Sequence, residues 1–378
     1  MKRQVPHLLL AIDLGASGTK FIASVVGQPT VKGVLMKPHC AAVNDRQLLT
    51  PDPQFDEHNV WVRIADEFYA VGNLAMIRYN ATNKLKPSKS TNAVPKICAA
   101  IGVLARKFEL PDKFDLSITF VLPPAEWEQR TIVIEQLKIA VKDLEIPCGK
   151  IKPKLLSLYP YPEGMGILIG QKLDLKELEA VTVVMLGFRN MSMFISKHGV
   201  LSDTQTSNLG FHYLLSQIAS KTGYEISDMI EPVFNYKTYL ELYNSNPKKD
   251  FWKSYFERSL DPILRCSGKD REVEREMLEK NIIKLSNEYL IKLSDWLDER
   301  MPLVSDHICV AGGTVNYFSE ELEKLMQAKA FAGSGKNVSF HSLIEPPKDL
   351  PLYGNRFDDI YSLWHQMSQR QIVTNKAD

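Results

Sequence analysis

The chain carries the same strand-turn-strand signature twice, and that duplication limits the folds open to it more than any other feature. Leu8 to Val26 is an apolar run, a small-residue turn (Gly15-Ala16-Ser17-Gly18-Thr19) and a second apolar run, which reads as a β-hairpin with a polar tip. The register that lays Asp13-Leu14-Gly15 on Met185-Leu186-Gly187 also lays Ser24 on Ser196 and Gly27 on Gly199, so the second copy spans Ala180 to His198. Both copies are apolar on either side of the turn, as central strands covered on both faces require. Hairpins are common, so the match alone does not decide the fold. It predicts two lobes that open with the same hairpin.

Between and after the hairpins, strand and helix patterns alternate in the manner of α/β architecture. Pro95 to Lys107 places Ile97, Ala100, Ile101 and Leu104 at helical spacing, with Thr91 or Asn92 as the capping residue. Phe114 to Leu122 reads as a buried strand, Ala125 to Lys142 as a helix behind Pro123-Pro124, and Pro153 to Tyr159 as a further strand. Tyr161-Pro162-Glu163-Gly164 then leads into an apolar stretch, Met165 to Ile169, expected to begin the helix crossing between the lobes. From Asn208 the chain turns mostly helical, first over Leu209 to Ser220. A long charged helix follows from Glu272 to Glu299, with Met277, Ile282, Ile283, Leu285, Leu290, Leu293 and Leu297 as its expected buried face. The expected division is a first lobe over residues 1–160, to which 346–378 returns, and a second over 161–345 with a mostly helical outer subdomain at about 225–300.

Composition narrows the function classes. A chain of 378 residues, 44% hydrophobic and 24% charged, buries a large core. Lys and Arg number 46 against 45 Asp and Glu, so the formal charge of +1 gives no general attraction for nucleic acid or acidic membranes. Lys248-Lys249 does not amount to a nucleic-acid patch. The five cysteines are scattered, odd in number and without a C-x-x-C pair, which argues against a zinc site or a disulfide framework and fits a reducing cytoplasm. Met1-Lys2-Arg3 and Leu8-Leu9-Leu10 mimic a signal peptide, but Asp13 interrupts the apolar run, which reads as a buried strand. No apolar stretch approaches the ~20 residues of a membrane-spanning helix.

Asp13-Leu14-Gly15-Ala16-Ser17-Gly18-Thr19-Lys20 has the chemistry of a phosphate cradle: small residues let backbone N–H groups approach a polyanion, and hydroxyls and an ammonium add donors. It has neither Walker A nor G-x-G-x-x-G spacing. A strand running through an acidic residue into such a hairpin resembles the first phosphate loop of the actin, sugar-kinase and DnaK-chaperone superfamily. Far downstream, Ile308-Cys309-Val310-Ala311-Gly312-Gly313-Thr314 resembles the adenosine motif of the same superfamily. Within it, Leu122-Pro123-Pro124-Ala125-Glu126-Trp127, Tyr161-Pro162-Glu163-Gly164 and the closing Tyr353-Gly354-Asn355 look like the ParM/StbA plasmid-segregation branch.

The resemblance covers most of the chain and implies an actin-like (ribonuclease H-like) two-lobed α/β fold with a nucleotide, ATP or GTP, between the lobes. It implies that Gly15, Ser17, Gly18, Thr19 and Lys20, with Gly187, Arg189 and Asn190, hold phosphates, and that Gly312, Gly313 and Thr314 pack on the nucleoside. Asp13 corresponds to the carboxylate that organises water around nucleotide-bound Mg²⁺. Glu163 corresponds to the residue that orients the attacking water; the alternative is a helix N-terminal carboxylate opposing the macrodipole.

One departure bears on turnover. The family places Asp before Leu-Gly in the second hairpin, and this chain has Met185 there, followed by Phe188-Arg189-Asn190. A thioether is a poor Mg²⁺ ligand and cannot accept a proton, which sets the chain against hydrolysis as the family performs it. Arg189 offers compensation by direct phosphate binding, and a loop plugged by Phe188 and Met185 is the competing picture. The favoured function is a filament-forming ParM-type protein of plasmid or DNA segregation, assembling head to tail and reaching DNA through an adaptor, with ATP hydrolysis left open by the degenerate second loop. A non-hydrolysing nucleotide sensor or scaffold is the alternative, and a sugar-kinase-like phosphotransferase, for which no acceptor signature is found, comes third.

Overall fold

Leu8, Leu9 and Leu10 are consecutive and all buried, which a strand achieves only when both faces of its sheet are covered. The computed structural model describes residues 5–44, 54–81, 88–245, 249–302, 305–332, 337–341, 344, 350 and 354–377; Lys248 and Tyr353 lie outside them. The chain divides into two compact units, Met1–Asp174 with His341–Asp378, and Leu175–Phe340.

The main sheet of the first unit contains β1 (His7–Gly15), β2 (Gly18–Val25), β3 (Val31–Met36), β7 (Asp115–Leu122) and β10 (Lys154–Pro162), in the order β10-β7-β1-β2-β3. The first three form an antiparallel meander, and β7 and β10 run parallel to β1. A second sheet has the order β4-β6-β5-β8-β9, from β4 (Cys40–Val43), β5 (Trp61–Ile64), β6 (Glu67–Val71), β8 (Leu144–Ile146) and β9 (Gly149–Ile151). The helices are α1 (Asn73–Arg78), α2 (Ala93–Lys107), α3 (Arg130–Ala140), α4 (Met165–Gly170) and α10 (Asp358–Ala377).

Alternation along β1 sorts its side chains onto two cores. Leu8, Leu10, Ile12 and Leu14 join Ile97, Ala100, Ile101 and Leu104 of α2. Leu9 and Ala11 join Ile360, Tyr361, Leu363 and Trp364 of α10. The indole N–H of Trp364 donates to Ser24 Oγ at 3.2 Å. Strand β10 continues past the expected Tyr159 because it is an edge strand, where Pro160 and Pro162 leave no ladder bond unmade toward a second neighbour. The unit itself runs past residue 160, since α4 is held to α10: Asp359 accepts the backbone N–H groups of Gly164, Gly166 and Ile167.

The second unit repeats the strand plan. Its sheet is β13-β12-β11-β14-β15, from β11 (Ala180–Leu186), β12 (Met191–Lys197), β13 (Val200–Ser207), β14 (His307–Ala311) and β15 (Asn337–Phe340). Again three strands form an antiparallel meander and two more run parallel to the first. The hairpin registers coincide: Asp13 faces Lys20, and Met185 faces Ser192. Each hairpin is followed by a glycine at positive φ, Gly27 at 83° and Gly199 at 79°.

Among the described residues this unit also has the helices α5 (Phe211–Thr222), α6 (Ile226–Ser245), α7 (Lys249–Ser259), α8 (Lys269–Arg300) and α9 (Ser319–Ala332). The buried face of α8 is Leu278, Ile282, Leu285, Tyr289, Leu293 and Leu297. Met277 and Ile283, expected on that face, are 47% and 48% exposed. Each is one residue from a buried position, and one residue is about 100° around a helix, enough to turn an apolar side chain to solvent. No helix of the described residues is long and apolar enough to cross a membrane.

Candidate functional site

Asp13 lies on β1 two residues beyond Ala11, and so on the face that α10 covers lower down. Its parallel neighbours are Val121 on β7 and, one strand on, Tyr161 on β10, with Glu163 two residues further. The two acids therefore meet at the carboxyl ends of parallel strands, where open α/β sheets form their ligand sites.

The hairpin tip beside them is tight. Gly15 pairs with Gly18 across Ala16-Ser17, and a Cβ on Gly15 would lie 2.8 Å from Gly18 O and 3.3 Å from both Asp13 Oδ2 and Lys20 Nζ. Lys20, directly opposite Asp13, donates to Asp13 Oδ2 at 2.5 Å. Lys89 Nζ donates to Asp13 Oδ1 at 3.1 Å and also to Glu163 Oε1. Burial alone would raise the Asp13 pKa, but the Lys20 and Lys89 ammonium groups outweigh it and hold the carboxyl well below the usual carboxylate range.

Lys89 begins a 3-10 turn, Lys89–Asn92, that runs directly into α2. Asn92 stands at the α2 N-cap as expected but makes no side-chain capping bond. The turn moves the orphan N–H groups upstream, to Lys89 and Ser90, and Glu126 accepts one on each carboxylate oxygen, both at 3.0 Å. Nearby in α2, burial pulls the Lys96 ammonium down to about 8.

Two hydroxyls expected at phosphate have contrasting surroundings. Thr19 pairs with Leu14, is fully buried, and its hydroxyl has no partner among the described residues, so strand alternation turns it to the core. Ser17 Oγ accepts from Arg356 Nη2 at 3.1 Å. Asp359, 9% exposed, carries no motif in the sequence; burial pushes its carboxyl up to about 6, with the Asp13 charge adding to the rise and the three backbone N–H bonds opposing it. Lys89 and Asp359 could not be found by spacing, since they meet partners 74 to 195 residues away.

The second unit brings its own loop and glycine turn together. Gly187 N–H donates to Asn190 O at 2.9 Å, repeating the closure of the first hairpin. Thr314 donates its N–H to Leu186 O at 3.1 Å and its hydroxyl to Gly187 O at 2.9 Å. Gly312, at φ 112°, lies so close that a Cβ would be 2.3 Å from Leu186 O. Gly313 follows in the same turn, and Asn190 Oδ1 is buried without a partner among the described residues. Arg189 flanks this closure, with its backbone against Gly210. The Phe188 ring packs on Phe211 and His212, with centroids 6.4 and 5.9 Å away, against the helical core.

The duplication exposes a change larger than one residue. The Asp13–Lys20 ion pair is replaced at the equivalent register by Met185–Ser192, so the second loop lacks both charges. Among the described residues, no group of three or more His, Cys, Asp or Glu side chains could hold a metal ion. Asp13 and Glu163 are neutralised by lysine ammonium groups, an arrangement that does not fit Mg²⁺ at Asp13.

No protein-family model matches the chain, and no curated protein matches it in sequence. Solved structures do. An Alp12 filament aligns over 97% of this chain and 99% of its own, at 13% identity and a TM-score of 0.57. ParM from Bacillus thuringiensis with ATP aligns over 96% and 99%, at 13% identity and 0.56. Ta0583, an archaeal actin homolog, aligns over 96% and 99%, at 13% identity and 0.55. Over nearly its whole length, therefore, the chain has the actin-like fold.

Proposed function

We propose that the chain is a nucleotide-binding, filament-forming protein of the ParM type that works in the cytoplasm in segregation of plasmid or other DNA. The observation that carries this reading is the glycine hairpin of the first unit with Asp13, Lys20 and Glu163 gathered at the carboxyl ends of β1, β7 and β10. Similar structures give it support: ParM has been solved with ATP, ADP and AMPPNP, and Alp12 and AlfA as filaments. In this reading the two compact units are the two lobes. Gly15, Ser17, Gly18 and Lys20 take phosphates, as do Gly187, Arg189 and Asn190. Gly312, Gly313 and Thr314 pack on the nucleoside of ATP or GTP. Glu163 orients the attacking water, and Lys89, which holds it now, must release or share it. With a net charge of +1, DNA is reached through an adaptor rather than gripped directly.

The Met185–Ser192 pair favours a second reading, a nucleotide-sensing scaffold that binds without turnover. A paired time course of light scattering and phosphate release with ATP, GTP, ADP or no nucleotide separates the two. Scattering that requires a triphosphate, with phosphate released alongside, is the expected outcome for a dynamic filament. Binding without release assigns the sensor, and scattering indifferent to nucleotide removes the nucleotide from the function.

A further inference from the structure

Lys89 is the least conventional member of the first-unit site. Its ammonium bridges Asp13 and Glu163, acids from two different strand ends, with side chains 13%, 15% and 17% exposed. It is also built in place. Glu126 holds the Lys89 and Ser90 N–H groups at 3.0 Å each. Ser88 Oγ hydrogen-bonds the hydroxyls of Ser90 at 2.7 Å and Thr91 at 2.8 Å.

Within the ion-paired cluster, Asp13 and Glu163 contribute two negative charges, and Lys20 and Lys89 two positive ones. A divalent cation on Asp13 would have to displace an ammonium or sit beside two of them, and at such range like charges repel strongly in a partly buried site. An ammonium has three donors. Two of those on Lys89 go to Asp13 and Glu163, which leaves one for an incoming oxygen.

We infer that Lys89 is the resident cation of this site, and that a nucleoside polyphosphate binds here in metal-free form with Lys89 and Lys20 facing its oxygens. This rests on the nucleotide-binding reading and adds the form of the ligand to it.

The test uses the full chain, wild type and Lys89→Met, which keeps the length of the side chain and removes its charge. Binding of a fluorescent ATP analogue is titrated in millimolar MgCl₂ and in excess EDTA. Wild-type affinity should agree within about twofold between the two conditions, whereas Lys89→Met should weaken at least about tenfold in EDTA and recover in MgCl₂. A wild type that itself weakens about tenfold in EDTA overturns the inference.

Thermal denaturation without nucleotide decides it independently. MgCl₂ should leave the wild-type midpoint unchanged and raise that of Lys89→Met, as a divalent ion takes the carboxylates that the lysine no longer holds. A wild type stabilised by MgCl₂, or a variant indifferent to it, overturns the proposal. If the variant does not fold, the two wild-type measurements still decide. If the wild type binds no nucleotide under either condition, the nucleotide reading fails, and the denaturation result alone judges whether Lys89 excludes the metal.

Discussion

At the residue scale, the first-unit site is a set of acids kept in different protonation regimes by their neighbours. Asp13, beside two ammonium groups, stays ionised far below the usual range, so the stability it confers is present above that range and is lost as the pH falls from there through the depressed value of the folded chain. Asp359 has the opposite sign. Its carboxyl is pushed up to about 6, so the folded chain holds that proton at pH values where the unfolded chain, near a pKa of about 3.9, has released it. Its contribution is full at low pH and disappears as the pH rises through about 6. Urea denaturation of wild type and Asp359→Asn across this window should show the wild-type advantage shrinking as pH rises; a constant difference would mean that Asp359 is ionised throughout. The amide keeps one carbonyl oxygen for the N–H groups of Gly166 and Ile167, so the variant retains part of the link between α4 and α10.

At the scale of elements, helix α8 shows how a correct type assignment can carry a misplaced face. The exposed apolar residues Met277 and Ile283 sit among buried ones, and apolar identity alone does not distinguish them. The packed positions are set by contact with the core of α5, α6 and the strand β11, which includes Leu214, Met229 and Val184. Ile282→Ala should destabilise the chain by about 2–5 kcal/mol through a core cavity, while Ile283→Ala next to it should stay within about 0.5 kcal/mol. Chemical denaturation of the two variants measures both, and equal losses would place the helix in a different rotation. The same lesson applies to Thr19, a hydroxyl that a loop motif offers to phosphate and that strand alternation buries.

At the scale of the whole molecule, the five-stranded plan occurs twice with different additions, a small antiparallel sheet in the first unit and the helices α6, α7 and α8 in the second. A head-to-tail assembly of the proposed kind uses unlike surfaces and does not close on itself. Scattering against total protein with triphosphate should therefore show a threshold concentration, with unassembled protein constant above it. A plateau at a small closed oligomer in sedimentation would exclude the filament. The strand-turn-strand repeat, its register, the α2 helix and the glycine turns were legible in the sequence because each rests on local periodicity or on residues whose backbone freedom is local. The five-strand extent of the duplication, the bridge by Lys89, the grip of Glu126 on the 3-10 turn and the Asp359 contact with α4 were decided only by tertiary structure. Each joins groups far apart in the chain, through charges and hydrogen bonds that leave no periodic trace in sequence. An acid that reads alone as a metal ligand becomes, once folded, one half of an ion pair.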